Sequence, residues 1–304
     1  MHTPLSSEVA EAVALQALTH IAADDDLLGA FLAQTGLAVD ELKTQATDPA
    51  LLGGVLDFLM SDEAGLLAFC EAASIEPDMP GLARRSLPGV RDALNTLHLD
   101  PAQPLIISDA DEVLLQFVAG LERYLDGQGM WLDLQTFALS GNIKRKDTGQ
   151  PVPVEETPDL LSGFFKAEAG NLTAVDHAAD ALSALSDRAQ IIILTNVPTA
   201  QRDARAESLA RQGMNYPVIA NKGLKGPAVS HIADAFTAPV FFLDDIPHNL
   251  KSVAESHEES RRLHFIADKR LAKLLPPSEH SHFHSSHWPD AQAFMEAELA
   301  AHGF

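Results

Sequence analysis

This chain of 304 residues is nearly without cysteine and is short of positive charge relative to negative. Cys70 is its single cysteine, so no disulfide can form within the chain and no thiolate zinc site can be built. The surrounding LLAFCEAA places that thiol at a buried helical position. Lysine and arginine number 21 against 43 aspartates and glutamates, a formal net charge of −22. So acidic a surface repels nucleic-acid phosphates and anionic membranes, which excludes nucleic-acid binding as a main role. No apolar run reaches membrane-spanning length, and MHTPLSSEVAEAV has no basic segment leading into an apolar core. The expectation is a cytoplasmic protein with no membrane partner.

What is present changes character partway along. Before residue 90, SSEVAEAVALQALTHIAADDDLLGAFLAQTG and DPALLGGVLDFLMSDEAGLLAFCEAA space their apolar residues helically, with few β-branched side chains and Gly36 as a helix stop. They predict an all-helical domain of four or five helices over residues 1–90. Asp24, Asp25 and Asp26 stand where one of these helices starts, and capping accounts for them better than a metal does. PDMPGLARRSLPG opens a Pro- and Gly-rich boundary with a short helix, and residues 91–103 read as a linker. From 104 to 304, strand patterns near 105–108, 190–195, 217–220, 239–244 and 262–267 alternate with helical ones. That alternation predicts an α/β domain with a Rossmann-like parallel sheet.

Four segments of this second region carry reactive side chains, three of them at the ends of apolar runs. PLIISDADEVLL delivers Asp109 and Asp111, IIILTN delivers Thr195 and Asn196, ANKGLKGP offers Lys222 and Lys225, and VFFLDDIPHN delivers Asp244 and Asp245. Singly, each has a plain explanation as a cap, a turn or a strand end. In an open α/β sheet, however, all would gather at the carboxyl ends of the strands, where the ligand crevice lies. Lys225 is preferred over Lys222 because it directly precedes a helix with Pro near its start.

Together, in this order, the segments resemble the haloacid dehalogenase superfamily of phosphohydrolases, over about residues 104 to 270. Asp109 to Leu114 fits its D-x-D-x-[TV]-[LIV] loop, Thr195 its second motif, Lys225 its third, and Asp244 with Asp245 its acidic fourth. Members closest to the family pattern have Gly-Thr after the second Asp, where this chain has Glu112 and Val113. The resemblance implies a central first strand between those ending at Thr195 and Asp244. A signalling receiver domain is disfavoured, because there the acidic pair opens the series.

The residue types suit phosphoryl transfer. A carboxylate at Asp109 can attack phosphorus, splitting one hard step into two. Asp111, two residues on, can protonate the leaving oxygen and then deprotonate water. Thr195, Asn196 and Lys225 would hold phosphoryl oxygens. So many acids around one phosphate call for a hard cation, and Mg2+ fits an all-oxygen set from Asp109, the Asp111 carbonyl, Asp244 and Asp245.

The interval from Val113 to Ala189 exceeds one crossover, so a small inserted cap is expected at about 115–170. Within it, Lys144, Arg145 and Lys146 read as an exposed hairpin tip, with contact to the anionic remainder of a substrate as the alternative. His280, His282, His284 and His287, with Glu279, read as a solvated loop before the helix WPDAQAFMEAEL, with a zinc or nickel site as the alternative. The helical region resembles a small bacterial family of unknown function and leaves room for a protein partner.

The sequence therefore predicts a magnesium-dependent phosphohydrolase acting on a small phosphorylated metabolite. A phosphate-binding or protein-interaction module without catalysis is the main rival, sustained by Glu112 and Val113. A carbon–halogen dehalogenase is a third reading, disfavoured because it needs neither a metal nor the pair Asp244 and Asp245.

Overall fold

The computed structural model describes residues 5–35, 39, 42, 46–87 and 94–304; Gly36 and residues 91–93 of the expected linker lie outside these. The chain forms two compact units, one of residues 1–96 with 221–224 and one of residues 97–220 with 225–304.

Among the described residues the first unit has five helices: α1 (Ser7–Ala22), α2 (Asp25–Thr35), α3 (Pro49–Met60), α4 (Glu63–Ala73) and α5 (Met79–Ser86). Their starts follow capping chemistry. Ser6 Oγ accepts from Val9 N, Asp62 accepts from Gly65 N at 2.8 Å, and Asp24 Oδ1 accepts from the amides of Asp26 and Leu27, both at 3.0 Å. The aspartate run is thus a cap. Phe31, Leu51, Leu52, Val55, Leu56 and Phe69 form the core, with Cys70 buried beside them. Inside this unit the Arg84 guanidinium donates to Asp57 at 2.9 Å, and it fits because Gly53 opposite has no side chain.

The second unit runs β1 (Leu105–Ser108), α6 (Phe117–Gly127), β2 (Met130–Leu132), β3 (Ile143–Arg145), α7 (Thr157–Glu168), α8 (Ala178–Leu185), β4 (Gln190–Thr195), α9 (Arg202–Arg211), β5 (Val218–Ala220), α10 (Gly226–Ala233), β6 (Val240–Asp244), α11 (Pro247–Ser256), β7 (Arg261–Phe265), α12 (Lys269–Ala272), β8 (Phe283–Ser285) and α13 (Trp288–Ala301). Six strands form one parallel sheet in the order β5-β4-β1-β6-β7-β8. LIIS and VFFLD are buried along their whole length, as strands covered by helices on both faces must be. β1 pairs with β4 on one side and β6 on the other, the central position that the motif resemblance implies. The connections that leave the neighbouring strands β1 and β6 run in opposite directions, to β4 and to β7, which opens a crevice at their carboxyl ends. Among the described residues no helix is long and apolar enough to cross a membrane.

One local expectation changes and another gains detail. The histidine-rich tail is not a plain loop: Phe283–Ser285 pairs in parallel with β7 as an edge strand, with His264 opposite His284. Its half-buried, polar residues hid the strand, because an edge needs no continuous apolar run. The interval after β1 holds an antiparallel hairpin, β2 with β3, between α6 and α7. Lys144 pairs with Asp133, Arg145 with Glu156 at 2.6 Å, and Lys146 with Asp126. All three basic side chains thus have acidic partners in the same insertion.

Helices α10 and α11 touch where Gly226 N donates to Ser252 Oγ at 3.2 Å. A Cβ at Gly226 would collide with the Ser252 carbonyl and hydroxyl oxygens. Gly226→Ala should therefore destabilise the protein by about 1–3 kcal/mol, read as a lower urea midpoint; an unchanged midpoint would show that the two helices part freely.

His264, inside β7, accepts from Ser278 N at Nδ1 (3.1 Å) and donates from Nε2 to the Asp245 carbonyl at 3.0 Å. Burial, aided by His284, lowers its pKa to about 4, although the Asp245 carbonyl opposes the shift. Its contribution to stability should be complete above the ordinary histidine pKa and decline as pH falls toward 4. Imidazole NMR should find this ring neutral at pH 5 with its proton on Nε2; a ring titrating near the ordinary value contradicts the assignment.

Candidate functional site

The sheet order brings the predicted residues to one edge. Asp109 directly follows β1, its amide bonded to the Leu243 carbonyl of β6 at 2.9 Å. Asp244 ends β6, Asp245 follows it, and Lys225 directly precedes α10. Lys225 is 1% exposed and stands between two acids, 2.7 Å from Asp109 Oδ1 and 2.8 Å from Asp244 Oδ2. Lys222, three residues earlier, pairs instead with Asp48 at 2.8 Å. Of the two lysines, Lys225 is the one in contact with the aspartates.

Asp109, Asp244 and Asp245 each offer an oxygen within 4.8 Å of the others, all three side chains being buried. Among the described residues this is the one group of three or more histidine, cysteine or acidic side chains with metal-binding spacing. The histidines of the tail do not converge: His280 and His282 accept from Arg262 through a carbonyl and a ring nitrogen, and His287 pairs with Asp290 at 3.3 Å.

The electrostatics are those of excess negative charge in a desolvated place. Burial raises the Asp109 pKa, Lys225 opposes the rise and Asp244 adds to it. Burial raises that of Asp245 well above the ordinary range, with further contributions from Asp244 and Asp109. Lys225 loses hydration too, but Asp109 and Asp244 outweigh that loss and hold it charged, above the usual lysine value. One ammonium among three carboxylates leaves a deficit that a hard divalent cation would fill. The donor set, all oxygen, fits magnesium, and the cluster can hold a metal ion.

Asp111 leaves the cluster. One oxygen pairs with Arg205, and its side chain is 19% exposed. Burial raises its pKa while Arg205 works against that rise. Thr195, at the end of β4, is fully buried, and its hydroxyl has no hydrogen-bond partner in the protein. Such an oxygen is free to bond a ligand. Asn196 follows it, half-buried.

Glu112, where the family pattern has Gly, adopts φ 57, the left-handed conformation that glycine suits. Its own bonds hold it there. The carboxylate oxygens accept from Val118 N at 2.7 Å and Asp268 N at 2.8 Å, and its carbonyl accepts from Ala267 N at 2.8 Å. Trp288 Nε1 donates to the next carbonyl, that of Val113, at 2.9 Å. The loop carrying Asp109 and Asp111 is thereby tied to the segments after β7 and β8.

Three side chains around the site escaped the sequence reading. Asn249, in the first turn of α11, donates to both Asp244 oxygens at 3.0 and 3.2 Å. Its place four residues after Asp245 on a helix start was a usable signal. Arg205 and His264 gave none, since each lies in a segment of mixed polarity.

Residues 7–90 match the family model described as "Protein of unknown function (DUF3572)". No curated protein is similar to the chain. Solved structures similar to it include a conserved haloacid dehalogenase-like protein of unknown function from Agrobacterium tumefaciens, with 16% identity and TM-score 0.44 over 65% of this chain and 99% of that one. A haloacid dehalogenase-like hydrolase from Streptococcus pneumoniae has 10% identity and TM-score 0.41 over 65% and 100%. The L-2-haloacid dehalogenase of Xanthobacter autotrophicus has 13% identity and TM-score 0.40 over 64% and 98%. The solved structures to which about two thirds of the chain is similar are thus haloacid dehalogenase-like proteins, and residues 7–90 match a family of unknown function.

Proposed function

We propose that this protein is a magnesium-dependent phosphohydrolase that acts on a small phosphorylated metabolite in the cytoplasm through a phosphorylated Asp109. One observation carries the reading: the buried Lys225 ammonium lies 2.7 Å from Asp109 and 2.8 Å from Asp244, in the cluster completed by Asp245. Lys225 favours the carboxylate form of Asp109 against the effect of burial and supplies charge for the phosphoryl oxygens.

Asp109, Asp244, Asp245 and the Asp111 carbonyl would hold the magnesium ion. When bound, the ion supplies the positive charge that lets a dianionic ester approach three acids. The Asp109 carboxylate attacks phosphorus, the bond to the leaving oxygen breaks, and Asp111 gives that oxygen its proton. Asp111 then takes a proton from water, which attacks the aspartyl-phosphate, releases inorganic phosphate and returns Asp109 to its starting state. The Thr195 hydroxyl and Asn196 bond the phosphoryl oxygens throughout.

Asp109→Asn should lower turnover of phosphate esters by at least about 10³-fold, and Asp111→Asn by about 10²- to 10⁴-fold. Chelation should stop turnover and added magnesium restore it. Turnover that survives Asp109→Asn overturns the reading. Silence across a broad panel of phosphorylated metabolites would favour a phosphate-binding or protein-interaction module, and metal-independent halide release from a 2-haloacid would favour a dehalogenase.

Magnesium should also stabilise the wild-type protein, by about 2.7 kcal/mol at a hundredfold excess over its dissociation constant. Calorimetry should record the higher Tm, and Asp244→Asn should shrink the rise. An unaltered Tm in magnesium argues against the cation assignment.

A further inference from the structure

Arg205 is the largest polar side chain that the α/β unit buries completely, at 0% exposure. Burying a guanidinium is costly unless its donors are matched, so its partners show what it is for. It projects from α9, just beyond β4. Nε donates to the Ala169 carbonyl at 3.1 Å, Nη1 pairs with Asp111 Oδ1, and Nη2 is buried without a hydrogen-bond partner. The group therefore clamps Asp111 to the end of α7 while leaving one of its own donors unused. A merely structural arginine would not need the one acid of the loop that is partly open to solvent.

We propose that Arg205 is a positioning residue for the reaction: it fixes the Asp111 carboxylate through Oδ1, so that Oδ2 faces the leaving oxygen and the attacking water. The inference rests on the role given to Asp111 above and adds the residue through which that role is set. The planar fork of an arginine spans both Ala169 O and Asp111, whereas the point charge of a lysine serves one of them. Without the clamp the carboxylate swings among rotamers, and a displacement of about 1 Å at a reacting group lowers turnover by about 10²-fold.

A double-mutant cycle tests this. Arg205→Lys should lower kcat by about 10²-fold with KM within about twofold, since the residue does not touch substrate. In an Asp111→Asn background the same substitution should change kcat by less than about twofold, because the group it acts through is already disabled. Losses that multiply in the double variant overturn the proposal and leave Arg205 a packing residue. If Arg205→Lys does not fold, Arg205→Met, which removes the buried charge along with its donors, takes its place in the cycle.

Crystal structures supply a readout independent of turnover. The Asp111 carboxylate should rotate away in the Arg205 variant while Asp109, Lys225 and Asp244 stay in place; an Asp111 that does not move sinks the inference. Absence of turnover in the wild-type protein would count against the proposed function alone, and the crystallographic comparison would still judge Arg205.

Discussion

The site depends on one ammonium group held between two carboxylates. Lys225 reaches Asp109 and Asp244 from a third segment of the chain, and the three meet only because β1 and β6 are neighbours in the sheet. Lost hydration alone pushes a buried lysine toward its neutral form, and the two acids together outweigh that push. The acids have the converse problem, since three of them share one lysine. The surroundings are arranged to keep this geometry. Gly226 lets α10 approach α11 closely, and Asn249 and the Ile246 amide hold the Asp244 carboxylate.

A second constraint acts on the loop after β1. At the position where the family pattern has glycine, Glu112 takes a left-handed backbone and offsets the steric cost with side-chain bonds. Burial raises its pKa to about 7, while the amides of Val118 and Asp268 favour its carboxylate. The departure that weakened the motif at the level of sequence is, in the fold, an added tie on the loop that carries Asp109.

The parts of this arrangement that could be read in advance share a physical cause. Central parallel strands are apolar throughout, so LIIS, IIILT and VFFLD stood out, and the residues that ended them fell at the crevice by topology. Arg205 was not readable: in RDARAESLAR it is one arginine of three, and only the packed structure shows which of them is enclosed. His264 was hidden for a similar reason, since its role is to donate to a backbone carbonyl, and sequence carries no mark of that. The edge strand β8 lacked an apolar run, and the basic hairpin residues looked free because their acidic partners lie up to 20 residues away.

The parallel sheet also governs when the site comes into being. Leu105 pairs with both Gln190 and Val240, so β1 must wait for partners far along the chain before its ladder is complete. Pairings of that span are slow to form, because loop entropy is lost before contacts return any stability. Bringing Asp109, Lys225 and Asp244 together is therefore a late event in refolding. Its timing after dilution from denaturant would follow the slowest global phase rather than the early appearance of helix.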